Sequence, residues 1–242
     1  MNIKNLNKLI KKNEFYHSIE VNNFKIKGFY NWNPYFHLIA DLIDFKKKTV
    51  LDVGPGDGYF SHKLKSLGAI VEAADIPSQK SRDNYNFGKK NIVFHSTGGK
   101  KRNHNFNFEI FNKIHKDKIK IHYKNIYELS KLKKRYNIVF CNDLLLHLTD
   151  PIKAIHEIVS VSNKYVIIGN PILKKSLFNL NKSEVNYLGH LSNNAYYIFN
   201  EKGFLDLINS FNLKILKKII IKPHKKDFFS NRPRMIVLAE KI

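Results

Sequence analysis

A single cysteine, Cys141, stands among the 242 residues, which excludes an intrachain disulfide framework and any zinc site built on thiolates. No run of about eighteen apolar residues occurs, so a membrane-spanning helix is not expected. The stretch Met1 to Lys12 alternates Asn, Lys and Leu without an apolar core, so no secretory leader is read there, and a cytoplasmic location is the default expectation. The eleven histidines are scattered without the spacing of metal ligands, so no metal is expected. No internal repeat is present. Acid is scarce as well: 20 Asp and Glu face 42 Lys and Arg, a net charge of +22. Such a surface attracts polyanions, whether RNA, DNA, anionic lipid or phosphorylated small molecules. Abundant Asn, Lys and Ile are also what an A+T-rich coding sequence produces, although that bias does not account for the shortage of Asp and Glu. The candidate phosphate contacts are Lys100, Lys101, Arg102, Lys133, Lys134, Arg135, Lys225 and Lys226.

What is there is enough apolar residue, 43%, for one α/β domain with a modest cap. Residues 1–34 read as a polar lead-in followed by an aromatic cap holding Phe15, Tyr16, Phe24, Phe29, Tyr30 and Trp32. The main domain runs over 35–242. Pro34 followed by Tyr35, Leu38, Ile39, Leu42 and Ile43 at helical spacing predicts a helix. A strand, Thr49 to Val53, then a glycine-rich turn, a helix ended by Gly68 and a strand to Asp75 make a βαβ unit, whose crossover requires a parallel sheet. Further strands are expected at 119–123, 137–141 and 165–169, with helices at 106–115, 151–161 and 201–211. Segments 77–105 and 170–198 read as variable loops. Strands at 213–221 and 235–239 are expected to pair antiparallel at one edge of an otherwise parallel, doubly wound sheet.

The chemistry concentrates in Val50-Leu51-Asp52-Val53-Gly54-Pro55-Gly56-Asp57-Gly58. Gly54, Gly56 and Gly58 free the backbone to bend tightly and to lie against a bulky cofactor, where Cβ atoms would obstruct both. The helix beyond supplies unpaired N–H groups. Asp75, at the tip of the next strand, is placed to accept hydrogen bonds from a ribose diol. A nicotinamide dinucleotide is the rival occupant, and a turn serving only tight packing is the bland alternative. The Gly-x-Gly-x-Gly spacing and the acid Asp52 within the strand favour S-adenosylmethionine. A second segment, Asn142-Asp143-Leu144-Leu145-Leu146-His147, follows a strand at the crevice where open α/β sheets bind ligands.

The glycine segment resembles the signature of class I S-adenosylmethionine-dependent methyltransferases. Taken with Phe15-Tyr16-His17-Ser18-Ile19-Glu20, Gly28-Phe29-Tyr30-Asn31-Trp32-Asn33-Pro34-Tyr35 and Leu145-Leu146-His147-Leu148-Thr149-Asp150-Pro151, it resembles the methyltransferase family that includes the tRNA wobble-uridine modifying enzymes. The resemblance covers most of residues 15–170. It implies a Rossmann-like seven-stranded sheet, S-adenosylmethionine as cofactor and S-adenosylhomocysteine as product. It further implies that Asp52 supports the methionine end, that Asn142 and Asp143 wall the cofactor, and that Trp32 lies over it. Ile76 and Asn125 join the cofactor set with Asp75. His147, His17 and Tyr16 are the candidate bases for a hydroxyl acceptor. A hydrophobic cap with an incidental histidine is the plain alternative for Trp32, Tyr16 and His17. The short stretch before Phe15 and the two variable loops point to O-methylation of a polar or anionic small molecule. The basic charge points instead to RNA, and a non-catalytic cofactor-binding module is the third expectation.

Overall fold

The computed structural model describes residues 8–242 apart from 9, 12, 22–23, 78–103, 117, 174–181, 189–194 and 229–231. The basic cluster Lys100, Lys101 and Arg102 therefore lies outside the described residues. The lead-in forms short strands β1 (Phe15–His17), β2 (Ile19–Val21), β3 (Phe24–Ile26) and β4 (Gly28–Tyr30). β1 pairs with β4 in parallel, and β2 with β3 antiparallel. Helix α1 (Phe36–Ala40) is shorter than its apolar spacing predicts. Beyond it the Asp44 carboxylate accepts from the backbone N–H of Lys46 at 2.9 Å, a turn that competes with further helix.

The βαβ unit follows as read: β5 (Thr49–Val53), α2 (Tyr59–Ser66) and β6 (Ile70–Asp75). Then come α3 (His104–Ile114), β7 (Lys120–Tyr123), a 3-10 turn over Ile126–Leu132, β8 (Tyr136–Asn142), α4 (Pro151–Ser160) and β9 (Ser162–Pro171). Asp150 caps α4, accepting from Lys153 N at 2.8 Å, and Pro151 occupies its first position. Within 170–198, expected to be irregular, β10 (Val185–Tyr187) and β11 (Tyr197–Phe199) form an antiparallel pair. Helix α5 (Glu201–Asn209), β12 (Leu213–Ile221) and β13 (Arg234–Lys241) complete the described chain.

The seven-stranded sheet has the order β12-β13-β9-β8-β5-β6-β7. The antiparallel pair stands at one edge as expected, and within it β13 is the reversed strand, set between β9 and β12. From β5 the chain winds outward through β6 and β7, then returns to add β8 and β9 on the other side. The switch point therefore falls between the carboxyl ends of β5 and β8, where open α/β sheets bind ligands.

Alternation along the strands sends side chains into two cores. One holds Val50, Ala73, Ile138 and Phe140 under Phe15, Trp32, Phe36, Phe60 and Phe108. The other holds Leu51, Val53, Val139 and Cys141 under Ile155, Ile158 and Phe204. Asp52, Asp75 and Asn142 share the parity of the first set, so three polar tips emerge on the face covered by the lead-in strands.

Candidate active site

At the end of β5 the glycines Gly54, Gly56 and Gly58 have φ of 69°, 59° and 92°, the left-handed region that side chains disfavour. A Cβ on Gly58 would lie 2.8 Å from the Phe108 ring. Asp52 is buried, and the Ser61 hydroxyl on α2 donates to its Oδ2 at 2.6 Å. Burial lifts its carboxyl to about 7, against the opposing pull of that hydrogen bond and of His17. Asp75 ends β6, half-buried, with Oδ1 accepting from Ile76 N at 2.8 Å. Asn125 caps the 3-10 turn, its Oδ1 accepting from Tyr127 N at 3.1 Å. All of these sit at the carboxyl end of the sheet.

On the other side of the switch point, Asn142 is 9% exposed, yet neither its Oδ1 nor its Nδ2 has a hydrogen-bond partner among the described residues. Gly169 on β9 makes room for this amide, because a Cβ there would collide with Asn142 Oδ1. Asp143 adopts a left-handed φ of 53°. Its Oδ2 accepts from Arg234 Nε at 2.9 Å, a pair with 6% and 2% side-chain exposure, while its Oδ1 is buried without a partner among the described residues. Burial works against the Arg234 charge, but Asp143 outweighs it and keeps the guanidinium above its ordinary value. His147, half-exposed, closes a single 3-10 turn after β8.

The lead-in strands form a strap between these two halves. At one end the fully buried Asp57, inside the glycine turn, accepts through Oδ2 from the backbone N–H of Tyr16 at 2.7 Å and of His17 at 2.9 Å. Its Oδ1 meets His17 Nδ1. At the other end Asp227, in the β12–β13 connection, accepts from Asn31 Nδ2 at 3.2 Å and from the Tyr35 hydroxyl at 3.1 Å. The Arg234 guanidinium lies 5.3 Å from the Tyr30 ring centre and 4.5 Å from that of Phe228.

On β1, His17 packs toward Tyr59 and Phe60, while Tyr16 lies against Tyr30 and meets the His17 ring edge to face, 4.8 Å between ring centres. Trp32 is fully buried between Phe60 and Phe228, and its Nε1 has no hydrogen-bond partner among the described residues. Sequence reasoning missed Asp57, Asp227 and Arg234 as site residues. Asp57 was visible inside the motif, but its partners lie forty residues earlier; nothing local marks Asp227 or Arg234.

The family described as methyltransferase domain matches residues 27–218. No curated protein matches in sequence. Among solved structures, magnesium protoporphyrin IX methyltransferase from Synechocystis PCC 6803, with bound S-adenosylmethionine, is 16% identical with a TM-score of 0.56, over 86% of this chain and 76% of that one. The N-terminal domain of EvdMO1, in the presence of S-adenosylhomocysteine and D-fucose, is 12% identical with a TM-score of 0.63, over 98% and 95%. The 1,6-didemethyltoxoflavin-N1-methyltransferase of Burkholderia thailandensis, with that substrate and S-adenosylhomocysteine bound, is 13% identical with a TM-score of 0.57, over 86% and 77%. These likenesses are to the fold. With a family match spanning well over half its length, the chain belongs to the methyltransferase-domain family and is an S-adenosylmethionine-dependent methyltransferase.

Proposed function

We propose that this enzyme methylates a hydroxyl oxygen of a polar or anionic small molecule, such as a sugar, a phosphorylated intermediate or a secondary metabolite. The observation that carries the cofactor half of this reading is the Asn142 amide, buried and without a hydrogen-bond partner among the described residues; the acceptor half rests on the strap. A buried polar group left unsatisfied costs about 1–3 kcal/mol, so an amide kept that way calls for a ligand with both donors and acceptors. The unpartnered Asp143 Oδ1 beside it strengthens the demand. A strap fixed at both ends encloses a small acceptor better than it admits a polynucleotide. Two structural relatives were solved with D-fucose and with 1,6-didemethyltoxoflavin, molecules of this size.

The residues fit S-adenosylmethionine. The glycine turn supplies backbone without Cβ atoms, Asp75 an acceptor for the ribose diol with Ile76 and Asn125 nearby, and Asn142 and Asp143 polar groups for the methionine end. When bound, the cofactor supplies an activated methyl on sulfur. The protein's part is alignment and electrostatics. His147 is the base in this reading, since it is half-exposed just beyond Asn142, with Tyr16 the next choice; His17 is engaged by Asp57.

Titration calorimetry with S-adenosylhomocysteine tests the cofactor half. Asp75→Ala should weaken binding roughly tenfold or more, the loss of a charge-assisted hydrogen bond, with unchanged thermal stability. Transfer of labelled methyl to a panel of hydroxylated small molecules tests the acceptor half. Label appearing in tRNA and in none of the panel would reverse it. RNA modification remains a second reading because Lys222, Lys225 and Lys226 are exposed on the connection that anchors the strap.

A further inference from the structure

In this chain 42 Lys and Arg outnumber 20 acids, yet the basic groups around the strap divide sharply by position. Lys25, Lys27, Lys222, Lys225 and Lys226 are exposed to solvent. His17 and Arg234, beneath the strap, are buried, and each already faces a buried acid. His17 Nδ1 meets Asp57 Oδ1. Arg234, the one buried Lys or Arg among the described residues, donates from Nε to Asp143 Oδ2 at 2.9 Å and from Nη1 to the Arg232 carbonyl at 3.0 Å. Its guanidinium lies over the rings of Tyr30, on the strap, and Phe228. Asp143 meets it from a left-handed φ of 53°, a conformation that most side chains avoid.

We propose that Asp143 is a specificity-determining residue: by occupying the Arg234 guanidinium it removes the cation an anionic acceptor needs, and so restricts the enzyme to neutral hydroxylated molecules. The inference rests on the small-molecule reading above and narrows it. A phosphate or carboxylate brought beneath the strap would lose its water without gaining a counter-charge. It would also meet the Asp143 carboxylate as a like charge. A neutral hydroxyl escapes both costs. The uncharged Trp32 N–H, buried beneath the strap with no partner among the described residues, suits the oxygen of such a group. The exposed lysines draw in anions of every kind, so selection against them falls to the interior.

The test is transfer of labelled methyl from S-adenosylmethionine to a deproteinised small-molecule extract of cells and, separately, to total tRNA. Electrophoresis at neutral pH sorts the small products by charge, away from the cationic cofactor. With the wild-type enzyme the label should stay in the neutral zone and resist mild alkali. Asp143→Asn, whose side chain tolerates the same φ, strips the guanidinium of its counter-charge. The ratio of anionic to neutral product should then rise roughly tenfold or more. A role confined to holding the fold would lower both products alike and keep that ratio. Thermal unfolding shows whether D143N is folded. Should it fail that control, Asp143→Gly decides, since glycine adopts this φ freely. Acetate should raise its unfolding midpoint by about 2 °C or more over chloride at equal ionic strength, and leave the wild type unmoved. Wild-type label moving toward either electrode overturns the proposal, as does neutral label that alkali releases as methanol, the mark of a methylated carboxylate. An unchanged ratio in folded D143N, or D143G indifferent to acetate, overturns it too. Label in tRNA alone, or in nothing, overturns the small-molecule reading itself, and this one with it.

Discussion

At the scale of single residues, the buried acid Asp52 makes a measurable prediction. Burial raises its carboxyl from 3.8 to about 7, so the folded protein keeps a proton that the unfolded chain gives up. The stability this group contributes is present below its unfolded value and is lost as the pH rises through about 7. A ligand ammonium at the methionine end favours the ionised form, which binding must therefore generate by releasing the proton. S-adenosylhomocysteine should accordingly bind about tenfold more tightly at pH 8 than at pH 6, the ratio expected for one group titrating near 7. Calorimetry in buffers of different ionisation enthalpy would detect the proton. Asp52→Asn should flatten the pH dependence, and a slope that survives in D52N would rule out Asp52 as its source. The positions of Asp52, Asp75 and the glycines were legible in the sequence because β5, α2 and β6 follow one another along the chain. The orphaned amide of Asn142 was not, since satisfaction of a side chain depends on what stands across the sheet.

At the scale of elements, Glu72 on β6 draws neighbouring elements together. It accepts from the Tyr136 hydroxyl on β8 at 2.6 Å, pairs with His122 on β7 at 2.8 Å and takes Lys134 at 2.7 Å. Burial pushes its carboxyl up, but the hydrogen bonds from Lys134, Tyr136 and His122 outweigh this and hold it at about 2. A depressed acid contributes stability above its unfolded value of 4.5, lost as the pH falls toward about 2. The cluster is partly open to solvent, so Glu72→Gln should cost only about 1 kcal/mol at neutral pH. Urea unfolding at pH 7 and pH 3 should show the gap between wild type and E72Q narrowing with acid. A constant gap would mean the loss is one of packing.

Elements long enough to repeat a period were legible. β5, α2 and β6 came out nearly to the residue, since the strand alternates and Gly68 stops the helix. β1 to β4 were read only as an aromatic cap, because three residues carry no period and the β1–β4 pairing depends on contacts across the chain. The same holds for β10 and β11.

At the scale of the whole molecule, the net charge of +22 guarantees some attraction to polyanions. The question is whether that attraction is more than electrostatic. For a small-molecule enzyme, tRNA binding should fall steeply with salt as counterion release loses its advantage, and be negligible at about 0.15 M. Replacing Lys225 and Lys226 with Glu should make the salt dependence shallower by about two contacts without altering S-adenosylhomocysteine affinity. Sequence-selective tRNA binding that persists at physiological salt would favour the RNA reading instead. Composition alone left this open, because charge speaks to association and not to a partner.

The insertion of β13 between β9 and β12 has a bearing on how the protein is made. This strand is the last of the described strands to be synthesised, yet it joins the parallel body to β12. Until it arrives, β9 offers a bare hydrogen-bonding edge that invites other chains. Asp143 meanwhile lacks Arg234 as its counter-charge, because Arg234 is the first residue of that strand. The growing polypeptide thus carries an unfinished ligand crevice and an adhesive border until β13 is added, and only then can the sheet and the site be completed in one event.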